Sequence, residues 1–307
     1  MTKVHSVDVL VPHFNDTEGL VLSLLSIVRQ EWSGPKRIVI ADDGSTHDVR
    51  VAVEAIVEEF RGLDISASAQ LEVMFNGINR GRPYTRNVLL DSINSSYVAW
   101  LDAGDEWYPE KLQKQFEALS SIEASQVDGS AWITCNYDWA WNGGARRRIV
   151  QRVDQDQHKA LLMGKSLRAY LWTLFARAEA FKSIGWFDER LSRMQDLDYF
   201  IRFVSHGGVI HNVMEPKPHC VYHKSDIGRN ADEIRACNQI IFEKHRVLYN
   251  RYGDNFKKMR LYDMEMLAAR FAQNNGDLRR AKHYMWSAFK QKPFTFLKHV
   301  RKKGLKA

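Results

Sequence analysis

The sequence has little cysteine and no long apolar run. Its three Cys, at positions 135, 220 and 237 of 307, are an odd number without metal-ligand spacing. That pattern points to a reducing compartment. No stretch approaches the roughly eighteen consecutive apolar residues of a membrane-spanning helix, and Met1 to Asp8 hold no apolar signal segment. These absences predict a cytoplasmic protein, free or at the inner face of the membrane. Excess positive charge is missing from most of the chain as well. Residues 277–307 hold ten Lys/Arg against one Asp, giving +9, so the remainder carries −2 of the overall +7. A near-neutral body argues against nucleic-acid binding, and the basic tail suits something anionic. What is present in quantity is apolar: 45% hydrophobic residues with 26% charged, enough for a large core. The nine Trp and eleven Tyr suit either sugar rings or, more commonly, core packing.

One stretch organises the rest. Val98-Ala99-Trp100-Leu101 is a short apolar run that ends in Asp102-Ala103-Gly104-Asp105-Glu106, followed by Pro109 and a helical pattern over 110–119. This reads as a buried strand, a tight acidic turn and a helix. Gly104 allows backbone angles closed to other residues. Two carboxylates leaving one strand end are costly without a positive partner, and a divalent ion with oxygen ligands is a natural one. The alternative is an acidic turn that favours a helix N-terminus.

The same design recurs upstream. Residues 6–12 read as a strand stopped by Pro12, and a core-facing helix follows with Asn15, Asp16 or Thr17 as its N-cap. Residues 37–41 form a second strand that ends in Asp42-Asp43-Gly44-Ser45-Thr46, with a helix over 47–60. Residues 71–75 form a third, before the Arg-bearing loop Asn79-Arg80-Gly81-Arg82, in which Arg82 reads as solvated. Strand, helix, strand with short links implies parallel strands, whose carboxyl ends share the ligand-binding rim. Asp42, Asp43, Asp102 and Asp105 then lie on one rim.

At this point the motifs resemble a family. Val9-Leu10-Val11-Pro12, Asp42 to Thr46, Asn79-Arg80-Gly81 with Thr85-Arg86-Asn87, and Leu101 to Asp105 are similar in order and spacing to the inverting family-two glycosyltransferases of GT-A fold. The resemblance implies an α/β domain, a nucleotide-sugar donor (a UDP-sugar first) and a divalent metal, Mn2+ or Mg2+. It places Pro12, Asp42, Asp43, Arg80, Arg86 and Asp102 with the donor, Asp42 and Asp43 on base and ribose. Asp105 is the first choice as metal ligand, Asp102 the second unless it serves the ribose, and His223 a further candidate. Gly104 stands where the commoner acidic motif has a third Asp.

The second half extends the likeness. Phe187-Asp188-Glu189 precedes Gln195-Asp196, where the family usually has Glu-Asp, and Asp196 falls on the position of the catalytic base. Inverting transfer is one displacement at the anomeric carbon, so a carboxylate must take the acceptor hydroxyl's proton. Asp198 is the competing base, and helix capping the plain alternative for Asp196. Residues 131–141 read as one strand turning at Asn142-Gly143-Gly144 into Arg146 to Val150; its Trp residues line an acceptor groove or simply pack. His219 reads as a surface residue. From Asp232 onward the chain reads as helices, the last stopped by Pro293.

The expected organisation is a GT-A catalytic domain over 1–230, its donor half 1–120 and acceptor half 121–230, with a basic helical extension over 231–307. The expected acceptor is a saccharide or a lipid-linked saccharide in polysaccharide or lipopolysaccharide synthesis, and the tail meets an anionic membrane surface. Two other classes stay open: a sugar nucleotidyltransferase, although residues 11–17 lack its Gly-rich phosphate loop, and a non-catalytic nucleotide-sugar-binding module.

Overall fold

The structure, a computed structural model, describes residues 5–62, 69–125, 130–141, 144–223 and 230–304, with side chains as far as Arg301. It divides into two compact units: Met1–Glu189 with Asp196–Lys224, and Arg190–Gln195 with Ser225–Ala307.

The first unit opens as β1 (Val7–His13), α1 (Thr17–Val28), β2 (Lys36–Asp42), α2 (His47–Gly62), β3 (Ala69–Phe75), α3 (Arg82–Asp91) and β4 (Tyr97–Trp100). All seven residues of β1 are buried, as a central parallel strand covered on both faces requires. Asp16 caps α1, its side chain accepting from the Gly19 amide at 2.9 Å. The one charge inside β1, Asp8, accepts from the Asn94 amide (2.6 Å), the Ser95 amide (3.0 Å) and the Ser95 hydroxyl (2.7 Å). It thereby fixes the approach to β4.

The chain continues through β5 (Glu106–Trp107), α4 (Lys111–Ala124), β6 (Ala131–Thr134), β7 (Asn136–Ala140), β8 (Arg146–Ile149) and α5 (Gln157–Met163). A 3-10 turn at Leu171–Thr173 then leads to β9 (Phe175–Arg177), α6 (Ala178–Lys182), α7 (Gln195–Ser205), β10 (Val209–Asn212) and β11 (Pro218–His223). The large sheet has the order β10-β6-β9-β4-β1-β2-β3 and is parallel except for β9. The smaller sheet is β5-β11-β7-β8. Because β1 runs parallel to both β2 and β4, Asp42 and Asp102 leave the same edge. Val9, Val11, Leu20, Leu24, Ile38 and Ile40 join one core cluster, each side chain contributing roughly 1.5–3 kcal/mol through burial.

One local expectation changes. Residues 131–141 are two strands in different sheets, parted at Cys135, because β6 pairs with β9 and β10 while β7 pairs with β8 and β11. Alternation runs unbroken through such a switch and gives no sign of it. The returning strand β8 does pair antiparallel with β7; Asn142 and Gly143 lie outside the described residues, as do Lys224, Ser225 and Asp226.

The second unit is helical: α8 (Ala231–Lys244), α9 (Arg246–Arg251), α10 (Gly253–Asn274), α11 (Leu278–Gln291) and α12 (Pro293–Gly304). Small residues, Ala268, Ala269, Ala272 and Ala281, bring α10 and α11 close and pack with Tyr284. α11 ends at Gln291, before Pro293, as expected; Pro293 also opens a further helix, α12, where a missing N–H and a fixed φ cost nothing.

Candidate active site

The acidic turn is strapped to α1. The Gly104 amide donates to the Gly19 carbonyl and the Ser23 hydroxyl, both at 3.0 Å, and the Ala103 amide donates to the Pro12 carbonyl at 3.4 Å. Gly104 sits at φ +94°, in the left-handed region that an Asp there would enter only with strain. The departure from the commoner acidic motif is thus matched to the backbone. Pro12 meets the turn through its carbonyl.

Asp102 does not stand alone. The buried Arg86, 1% exposed, donates from Nη2 to both Asp102 oxygens, at 2.9 and 3.2 Å. Its Nη1 donates to Oδ1 of Asp196, the first full turn of α7. One guanidinium therefore joins the two carboxylates. Burial works against charge on Asp102, but Arg86, helped by Arg82, holds it below the usual carboxylate range. Asp196 goes the other way: burial raises its carboxyl, and the charge on Asp102 adds to the rise, while Arg86 opposes it. Its second oxygen accepts from the Leu171 amide at 3.2 Å. Asp198 is fully buried and accepts from Arg202 Nε at 3.0 Å, so both carboxylates of this turn are ion-paired, Asp196 to Arg86 and Asp198 to Arg202.

Asp105 is buried and accepts from the His223 amide at 3.0 Å. Burial, then the charge on Asp102, raises its carboxyl well above the ordinary value. The His223 ring lies against Glu106, Nε2 to Oε1 at 2.5 Å, so its backbone rather than its imidazole serves Asp105. Among the described residues no three His, Cys, Asp or Glu side chains converge as a metal cage. The set fits instead a hard ion that takes one or two carboxylates and completes its shell with phosphate oxygens and water. A carboxylate whose ionisation is opposed by burial and by a like charge gains from such an ion.

The upstream aspartates are engaged within the chain. Asp42 is fully buried, its Oδ2 at 2.7 Å from His13 Nδ1 and 2.5 Å from the Ser45 hydroxyl, its Oδ1 accepting from the Ser45 amide at 2.9 Å. Burial opposes its ionisation, yet His13 and Ser45 hold its pKa low. Asp43 accepts from the Arg80 amide (3.0 Å) and the Gly81 amide (2.9 Å), so it shapes the 76–81 loop. The Arg80 guanidinium lies 3.5 Å above the Tyr84 ring.

Sequence reasoning passed over three groups. His13, read only as part of a polar turn, is the partner of Asp42. His219, expected at the surface, is fully buried, and neither ring nitrogen has a hydrogen-bond partner among the described residues. Arg82, set aside as solvated, is exposed, but its charge lowers the carboxyls of Asp102, Asp105 and Asp196 alike. The signal was its place in the first turn of α3, between Gly81 and Pro83. A cavity of about 590 Å³ lies elsewhere, within the helical unit among Met266, Leu267, Met285, Phe296 and Val300; none of the predicted donor-binding or catalytic residues lines it.

The glycosyl transferase family 2 model matches residues 8–185, more than half of the chain. The chain belongs to that family. This family 2 member is 28% identical over 201 residues to the amylovoran biosynthesis glycosyltransferase AmsB of Erwinia amylovora, a match spanning 64% of this chain and 63% of AmsB. Just under two thirds of the first curated relatives' length is thus covered. Among solved structures, S. aureus TarS 1–349 in complex with UDP-GlcNAc superposes with TM-score 0.59 at 15% identity, over 94% of this chain and 92% of that one. The mannosyltransferase PcManGT from Pyrobaculum calidifontis, in complex with GDP-Man and Mn2+, gives 0.57 at 16% identity, over 99% and 81%. The large mostly parallel sheet of the first unit is accordingly a GT-A fold.

Proposed function

We propose that this protein transfers one sugar, with inversion, from a nucleoside-diphosphate sugar to a saccharide or lipid-linked saccharide during polysaccharide or lipopolysaccharide synthesis. The observation that carries the reading is the Asp102–Arg86–Asp196 cluster on the strand-end rim, with buried Asp105 beside it. Asp196 takes the proton of the acceptor hydroxyl as that oxygen attacks the anomeric carbon from the face opposite the diphosphate. Arg86 fixes the base and holds Asp102 ionised. Exposed Arg82 faces these acids and is suited to the negative diphosphate. Pro12, Asp42, Asp43 and Arg80 shape the base and ribose end, the aspartates chiefly by ordering the backbone there. Asp105, with Asp102, would hold a divalent ion. When bound, manganese or magnesium would offset the charge on the departing diphosphate. A UDP-sugar is the first choice of donor; AmsB and the UDP-GlcNAc complex of TarS support the role and that choice.

A thermal-shift screen tests the reading. UDP- and GDP-sugars are compared in manganese and in chelator, on the wild-type protein and on Asp105→Asn. A donor-specific rise in Tm is expected for the wild type in manganese, and the variant should lose the manganese-dependent part. No response to any nucleotide sugar defeats the transferase reading; an identical manganese response in both proteins removes Asp105 as ligand.

The tail is proposed to bring the protein to an anionic membrane surface. No helix among the described residues is long and apolar enough to cross a membrane. On α12, Phe294, Leu297 and Val300 are exposed at 83, 51 and 48%, and Lys298 and Arg301 lie on the same helix. Each cation near an anionic surface contributes about 1 kcal/mol. The buried stripe of α11, Ala281, Tyr284 and Ala288, is committed to packing. Full-length protein should co-sediment with anionic vesicles in a salt-sensitive way, and a form ending at Pro293 clearly less. Equal sedimentation of the two would rule the surface out.

A further inference from the structure

Two aromatic residues adjoin the acids through the backbone. Tyr170 precedes Leu171, whose amide donates to Asp196 at 3.2 Å. Tyr222 precedes His223, whose amide donates to Asp105 at 3.0 Å. Elements far apart in the chain thus set these rings beside the base and the candidate metal ligand. The two rings lie 6.4 Å apart and nearly parallel, 9° between planes, and Trp172 stacks on both, at 5.2 and 5.7 Å. The Tyr170 hydroxyl, raised by burial, also feels the charges of Asp196 and Asp105.

The series continues outward along β7. Trp139 is in register with Tyr222 on β11, 5.5 Å away and edge-on at 84°. Trp141, two residues further on, stacks on Trp139 at 5.8 Å and 4°. Trp172, beneath the two tyrosines, is a core residue at 2%, whereas Tyr170, Tyr222 and Trp139 are half-buried and Trp141 is 37% exposed. Four incompletely covered rings that lead from the acids to an exposed Trp have the form of a binding track.

Resting on the transferase reading above, we infer that Tyr170, Tyr222, Trp139 and Trp141 hold the acceptor as an oligosaccharide of at least two residues. The sugar that reacts sits beside Tyr170 and Tyr222, and the next lies toward Trp139 and Trp141. The carbon-hydrogen face of a pyranose is apolar and gains from covering an aromatic ring, while its hydroxyls stay at the rim. The edge-on step between Tyr222 and Trp139 means that a chain following both ring pairs turns between its first and second residues.

The test is binding of the full-length protein to a panel of mono-, di- and trisaccharides, with UDP affinity in manganese measured in parallel. Variants are Trp139→Ala, Trp141→Ala and the ring-keeping Trp141→Phe, each checked for an unchanged melting temperature. The expected result is binding confined to glycans of two or more residues, weakened at least about tenfold by either alanine, which is 1.4 kcal/mol, and kept by Trp141→Phe, with UDP affinity unchanged in all. Monosaccharides bound as well as longer glycans, undiminished binding by Trp141→Ala, or no glycan bound by a protein that binds UDP would each overturn the track alone. A wild-type protein that fails to bind UDP would take the transferase reading down, and the track with it.

Discussion

Asp196→Asn is expected to slow sugar transfer by about 10²–10⁴-fold, the usual contribution of a positioned general base, while donor affinity stays as it is. The amide keeps the shape and can still accept from Arg86 or from the Leu171 amide, so the loss reports proton transfer rather than collapse of the site. The pH profile carries the same signature. The base works only when ionised, and burial has raised its pKa above the ordinary carboxylate value of about 3.9. Transfer should therefore fail on the acid side at a higher pH than an exposed carboxylate would allow. Asp198→Asn provides the contrast: it breaks the pair with Arg202 and should lower the melting temperature more than the rate. Near-normal transfer by Asp196→Asn, with the rate loss appearing in Asp198→Asn, would move the base two residues along the chain.

Arg86→Ala is expected to destabilise the protein by about 3–5 kcal/mol, because removing one partner of a buried ion pair leaves charge without compensation. Here one deletion strands two carboxylates. The sign of the pH effect follows from their pKa values: without the guanidinium, Asp102 loses what holds its carboxyl low and Asp196 what opposes its rise, so both go up in the folded state. Their ionisation then opposes folding at neutral pH, and the penalty fades as pH falls and both become protonated. Urea denaturation of wild type and variant at neutral and mildly acidic pH reads this directly. A loss below about 1 kcal/mol at neutral pH, or a gap that widens on acidification, would contradict the clamp.

How much of this was legible depended on whether the signal was local. The strand ending in Asp102 and Asp105, and the one ending in Asp42 and Asp43, announced themselves by apolar runs broken by acids and glycine, and the parallel order followed from short connections. Asp196 was singled out through its neighbours in the motif. Its partner was not, since Arg86 lies 110 residues earlier and nothing in either segment points to the other. Reading Arg86 as a donor-binding residue rested on its motif, which gave no sign that both its terminal nitrogens would donate to Asp102 and Asp196. The break at Cys135 was invisible for a different reason: the alternation of β6 carries on into β7 although the strand changes sheets. Pro293 carried an ambiguous sign, as proline both follows helices and opens them.

The place of β9 also bears on how the chain is made. β4 and β6 have no contact in the sheet order until β9 is inserted between them, and β9 holds residues 175–177. On the ribosome, where N-terminal segments fold first, the β1–β4 half can assemble with its β4 edge bare while residues 101–174 are still being added. An uncovered edge is a template for wrong pairing. Nascent chains stalled before residue 175 should thus be cut readily by protease around residues 130–140, and chains stalled well beyond it should resist. Asp196, the proposed base, emerges later still, so on the proposed reading the donor half is made before the group that would activate an acceptor.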